Sequence, residues 1–176
     1  MLNTSFSIDL LKYLTKGTAF TRSNANIYVG LLTRLPDDAN HMTNNASTGY
    51  QEVDSSTVTG YARAQIGVNG ASAKGLSGND LFGNPAWDDT LGAVIIKNTG
   101  DDIQMHNISE SYAGAAVTVV GFGLFSAQTG GTMYACGPLV DASGDPTTAS
   151  LTAGDVPIFY KDSFSLMMKD DDPSAS

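Results

Sequence analysis

One cysteine and two histidines, Cys136, His41 and His106, are all that 176 residues offer to thiol, imidazole or zinc chemistry. A lone cysteine excludes an internal disulfide, so stability must come from packing or from association of copies. Two histidines without H-x-H or H-E-x-x-H spacing do not make a zinc site. No stretch approaches the roughly 18 apolar residues of a membrane-spanning helix. The first 16 residues, with Asp9, Lys12 and Lys16 among the apolar positions, lack the basic start and unbroken apolar block of a secretory signal. These absences lead us to expect a protein that works where it is made, or in a particle assembled there.

Charge is scarce as well. Only 15% of residues are Asp, Glu, Lys or Arg, against about 25% in an average soluble domain, so Ser, Thr, Asn and Gly must build much of the surface. Nine basic residues against eighteen acidic ones leave a net charge of −9. That field repels phosphate backbones and anionic bilayers, which argues against nucleic-acid and membrane partners. The phosphate-cradling GxxxxGK[ST] loop and the GxSxG nucleophile elbow are both missing.

What is present reads mainly as strand. The opening segment is the exception: Phe6, Leu10 and Leu14 recur at i, i+4 and i+8 with Leu11 beside them, which makes one apolar helical stripe. Asn3 or Thr4 can cap it and Gly17 suits its C′ position, so we expect one short helix near 5–16, covering a core or docking on a neighbour. From there the period drops to two. "NIYVGLLT" (26–33) alternates as a strand, and "RLPDDANHMTNNASTGYQEVDSSTVTG" (34–60) is a polar stretch too long for a plain connection, expected to be a functional or partner-ordered loop.

Further extended segments follow at 61–69, 92–98, 102–108, 116–127, 132–140, 149–153 and 158–168, separated by turns such as Gly130-Gly131 and Ser143-Gly144-Asp145-Pro146. Short strands at regular spacing with almost no helix imply a mainly β chain, an antiparallel β-sandwich or flattened barrel with one short N-terminal helix and long polar loops. A single domain over 1–176 is expected, with its β-rich core at 61–168 and a polar tail at 169–176.

Candidate chemistry is thin. Cys136 falls inside the strand "TMYACGPLV" with no base or basic residue near it in sequence, so a buried, inert thiol is expected in place of a nucleophile. The acid pairs Asp37-Asp38, Asp88-Asp89, Asp101-Asp102 and the run Asp170 to Asp172 read as solvated turns. Hydrolysis, or calcium held between subunits, is the minor alternative, because the D-x-D-x-D-G loop with its distal Glu is missing. Trp87, with Tyr50, Tyr61 and Tyr112 near Gly-rich turns, has the ring area either to stack on a sugar or to close the end of a sandwich. The candidate interaction surface therefore comprises Phe6, Leu10, Leu14, Tyr50 and Trp87; no catalytic residue, cofactor or metal ligand is expected.

In order as well as content, "KGTAFTRSNANIYVGLLTRLPDDA", "GYARAQI", "GFGLFSAQTGGTMYACGPL" and "LTAGDVPIFYKDSFSL" resemble the blocks of a group of small bacteriophage structural proteins, the tail-fibre-like or Gp80-like family. The acidic position usual in the family's "GIFDA" element is Ser126 here, and 34–60 and 99–115 look longer than in compact members. The resemblance implies a non-enzymatic virion protein, assembled in the host cytoplasm. It would form a homo-oligomer such as a trimer and touch other virion proteins, with a host surface glycan as a further partner. Tail or fibre association comes first, a capsid decoration protein second and a carbohydrate-binding module third.

Overall fold

The computed structural model describes residues 26–38, 41–45, 47–68, 71–75, 77–90 and 93–169. The expected helix near 5–16 and the tail beyond Lys169 lie outside the described residues. In chain order the described strands are β1 (Ile27–Arg34), β2 (Gln51–Glu52), β3 (Ala64–Val68), β4 (Ala71–Ser72), β5 (Ala86–Asp88), β6 (Ala93–Lys97), β7 (Ile103–Gln104), β8 (Val117–Val119), β9 (Gly121–Phe125), β10 (Met133–Val140), β11 (Pro146–Thr147), β12 (Ala149–Leu151), β13 (Ile158–Phe159) and β14 (Ser165–Lys169). They pair into one seven-stranded sheet, one of three strands and two of two strands. Every strand pairing for which a register is given is antiparallel, so the chain is mainly β, as its period-two patterning requires.

The chain divides into two compact units: Met1–Ala71 with Met105–Pro157, and Ser72–Gln104 with Ile158–Ser176. In the first, β9 lies between β1 and β10. The strand is apolar on both faces because it is central, and Leu124 and Phe125, which point to opposite sides, are both buried. One side of this sheet carries the cluster Leu32, Met42, Tyr50, Phe125, Met133 and Cys136.

Two members of that cluster, Met42 and Tyr50, come from the polar stretch 34–60, which is thus folded against the sheet by its own hydrogen bonds. The Asp37 amide donates to the Thr48 carbonyl (3.0 Å), the Tyr50 amide to Thr43 (3.0 Å) and the Val53 amide to Leu31 (3.0 Å). Asp54 closes the next turn by accepting from the Ser56 amide (2.9 Å) and hydroxyl (2.7 Å). Those bonds hold its carboxyl below the usual carboxylate range. Sparse apolar residues at Met42, Tyr50, Val53 and Val58, all buried, are enough to fix a segment whose composition reads as loop.

The second unit is organised by a buried asparagine. Asn98 is fully buried. Its Nδ2 donates to the carbonyls of Tyr160 (2.8 Å) and Asp101 (3.2 Å), and its Oδ1 accepts from the Phe164 amide (2.9 Å). Phe164 beneath it meets Phe159 edge-on at 5.3 Å and Phe82 at 5.9 Å. Asn98 therefore ties the 98–101 turn to the segment between β13 and β14. Replacing it by alanine removes three interactions from a dry site, and urea denaturation should register a loss of about 2–3 kcal/mol. A surface-like change below about 0.5 kcal/mol would contradict this role.

Candidate functional site

Among the described residues, the most densely bonded polar centre is buried. Arg63, just before β3, has a side chain 5% exposed, and its partner Glu52 is 13% exposed. The guanidinium binds the carboxylate through both forks, Nε to Oε1 at 2.7 Å and Nη2 to Oε2 at 2.6 Å. Nη1 donates to the carbonyls of Ala127 (2.6 Å) and Gly130 (2.7 Å), and the guanidinium carbon lies 3.5 Å from the centroid of the Phe125 ring. The Tyr61 hydroxyl donates to Glu52 Oε1 (3.0 Å) and accepts from the Leu31 amide (2.8 Å). Burial first, then the Glu52 charge, push the Tyr61 phenol far above its ordinary value and keep it neutral.

Local sequence explains how so many groups converge. Gly130 and Gly131 take left-handed backbone angles (φ 61° and 73°), open to glycine at little steric cost. They turn the β9–β10 hairpin so that two of its carbonyls face Arg63. Beneath, Gly30 of β1 and Gly123 of β9 are directly opposite each other. A Cβ at Gly123 would stand 2.7 Å from Met133 Sδ and 2.8 Å from Phe125 Cε2; one at Gly30 would stand 2.7 Å from Glu52 Oε1. The glycine pair is the floor on which the aromatic ring and the ion pair rest.

The surface expected from sequence is only partly at the surface. Phe6, Leu10 and Leu14 lie outside the described residues. Tyr50 must be withdrawn from the surface set: it is 5% exposed, edge-on to Phe125 at 5.7 Å. Tyr61 is likewise buried, and Tyr112 donates to the Ala115 carbonyl (2.7 Å). Trp87, on β5, is 60% exposed, with its indole N–H held by Asp89 Oδ1 at 2.8 Å. The structure therefore leaves Trp87 as the exposed aromatic of that set.

Cys136 is buried, and burial pushes its thiol up, away from the thiolate. Of the described acid pairs, Asp37-Asp38 faces Arg34 and His41, and the other two supply local caps. Asp88 accepts from the Thr90 amide (3.0 Å) and Asp102 from the Lys161 amide (2.6 Å). Asp101 accepts from the amides of Ser77 (2.6 Å) and Asp102 (2.9 Å). Burial opposes the Asp101 charge, but those bonds outweigh it and hold its pKa below the ordinary value. His41 Nδ1 lies 3.1 Å from Asp38 Oδ2. Among the described residues no three His, Cys, Asp or Glu side chains converge where a metal ion could sit.

Sequence reasoning missed Arg63 and Glu52 as partners. The available signal was the "GYAR" block at 60–63, where an arginine follows a tyrosine at the spacing of one strand face. Arg63→Met or Glu52→Leu should each cost about 3–5 kcal/mol, because each strands a buried charge. The double variant should cost well under the sum of the two. A urea-melt cycle checks this, and additive losses would show that the pair is not coupled.

Residues 2–166 match the family model described as podophage GP4 fiber I protein gp80. No curated protein matches the chain. The match runs through the strand carrying Gly30, the Glu52 and "GYAR" segments and the Gly130-Gly131 hairpin, the parts that build the buried centre. The chain belongs to the podophage GP4 fiber I protein gp80 family.

Proposed function

We propose that this protein is a non-enzymatic structural component of a bacteriophage fibre, carried on the virion as a homo-oligomer and held there by other virion proteins. Family membership over residues 2–166 is the observation that carries the reading. The use of carboxylates supports it: Asp54, Asp88, Asp101, Asp102, Asp141 and Asp155 each accept backbone amides, which fixes turns and does not leave paired acids facing a cleft. Two-sided burial of β9 supports a sandwich-like arrangement within the first unit. Gold-labelled antibody against the protein, viewed on intact particles by electron microscopy, should mark the tail fibres. Label spread over the head would assign capsid decoration in their place, and unlabelled particles would overturn the virion reading.

A second reading, a host-glycan contact, rests on Trp87. Its ring is exposed while its N–H is already bonded to Asp89, so the free recognition element is the flat apolar face, with carboxylate oxygens of Asp88 and Asp89 close by in sequence to accept hydroxyls. A glycan array probed with the full chain should give signals that Trp87→Ala abolishes while the melting temperature stays unchanged. Signals equal in both proteins would remove Trp87 from any such contact.

A further inference from the structure

Among the described residues, the second unit leaves one strand edge open that none of the usual blunting devices accounts for. Unpaired edges recruit other strands, and proteins blunt them by shortness, proline, charge or bulges. β2, β4, β7, β11 and β13 are two residues long, and β11 begins with Pro146. β5, at one end of the three-stranded sheet, has three residues between Pro85 and the acidic pair Asp88-Asp89. At the opposite end of that sheet stands β14: five residues, no proline, and an unbroken register against β6 from Ser165↔Lys97 to Lys169↔Ala93.

The register fixes which way its backbone groups point. The Asn98 amide donates to the Phe164 carbonyl, so 164 and 98 form a hydrogen-bonded pair, and such pairs alternate along an antiparallel ladder. Leu166 and Met168 therefore bond inward to β6. Ser165, Met167 and Lys169 turn their amides and carbonyls outward. Met167 is the central residue of that outward set and is 53% exposed, although its cross-strand partner Ile95 is buried. A strand whose outward groups are symmetric about its middle residue is complementary to a copy of itself across a two-fold axis.

We propose that β14 pairs antiparallel with β14 of a second copy, centred on Met167, joining two three-stranded sheets into one of six. This narrows the homo-oligomer of the fibre reading, on which it rests, to a named two-fold contact. Ser165 meets Lys169 of the second copy, Met167 meets its own equivalent and Lys169 meets Ser165, giving about six new backbone hydrogen bonds at two per facing pair. The two Met167 side chains lie side by side on the face that carries Ile95, where a flexible thioether adapts to its own image. A head-to-tail β14–β5 pairing, which would build rings or filaments, is disfavoured: β5 offers outward groups at Trp87 alone and directly follows Pro85.

The test is the mass of the full chain by analytical ultracentrifugation at near-physiological salt, where the charge of −9 per copy is screened beyond about 8 Å. Wild type should sediment at twice the 18.3 kDa chain mass, or an even multiple of it. Met167→Lys places a charge on the edge. Met167→Pro removes its outward amide and leaves the ladder to β6 intact. Both should halve the mass with the melting behaviour of a folded chain, and lysine is accommodated at an exposed position even if proline is not. An oligomer that persists in both variants would overturn the β14 contact and leave the homo-oligomer standing. A wild type that is monomeric at all concentrations would overturn the homo-oligomer and the contact with it.

Discussion

A buried guanidinium must be fully partnered, and the first unit is arranged around that requirement. Taking Arg63 out of water costs several kcal/mol unless its charge is matched and its donors are bonded. Here Glu52 supplies the counter-charge in the two-point geometry that arginine favours, the hairpin carbonyls of Ala127 and Gly130 take the third nitrogen, and Phe125 covers one face of the plane. Each partner comes from a different part of the chain. The pair therefore selects one arrangement of three segments that hydrophobicity alone would let slide.

That arrangement explains the distribution of small residues. Gly30 and Gly123 are opposite each other because the ring of Phe125 and the carboxylate of Glu52 occupy the space where their Cβ atoms would be. Gly130 and Gly131 are consecutive because the turn needs two left-handed residues to present its carbonyls. The second unit solves the same problem without charge. Asn98 supplies both a donor and an acceptor to backbone groups of the 98–101 turn and of the segment 159–164. In both units a single buried polar side chain joins segments distant in sequence, as one expects of a chain with few charges and one cysteine.

For a fibre protein this economy has a functional consequence. Stability comes from internal polar locks and packed sheets, so the exterior can be sparing in charge, rich in Ser, Thr, Asn and Gly, and available for contacts. Asp54, Asp88, Asp101, Asp102, Asp141 and Asp155 cap backbone amides. Among the described residues the exposed large apolar side chains are Trp87, Val94, Val140, Val156, Tyr160 and Met167; Trp87 and Met167 stand on β5 and β14, the two outer strands of the three-stranded sheet.

Much of the strand content was legible in the sequence because alternation and turn chemistry are local. The segments 61–69, 92–98 and 132–140 contain β3, β6 and β10, 26–33 covers all of β1 but its last residue, and 116–127 contains β8 and β9. Cys136 was legible as a packed thiol for the same reason. The packing within 34–60 was not legible because four buried apolar residues, Met42, Tyr50, Val53 and Val58, are hidden among polar neighbours, and it depends on hydrogen bonds that no local pattern announces. Tyr50, expected on the surface, proved to be core because its ring packs edge-on against Phe125, a contact between segments far apart in sequence. The sequence by itself determined the antiparallel β character, the family and the absence of disulfide support, because these follow from periodicity, ordered motifs and composition. Only the tertiary structure decided that Arg63, Glu52, Tyr61 and Phe125 share one buried centre and that Met167 faces outward, because both depend on register and on residues brought together from far along the chain.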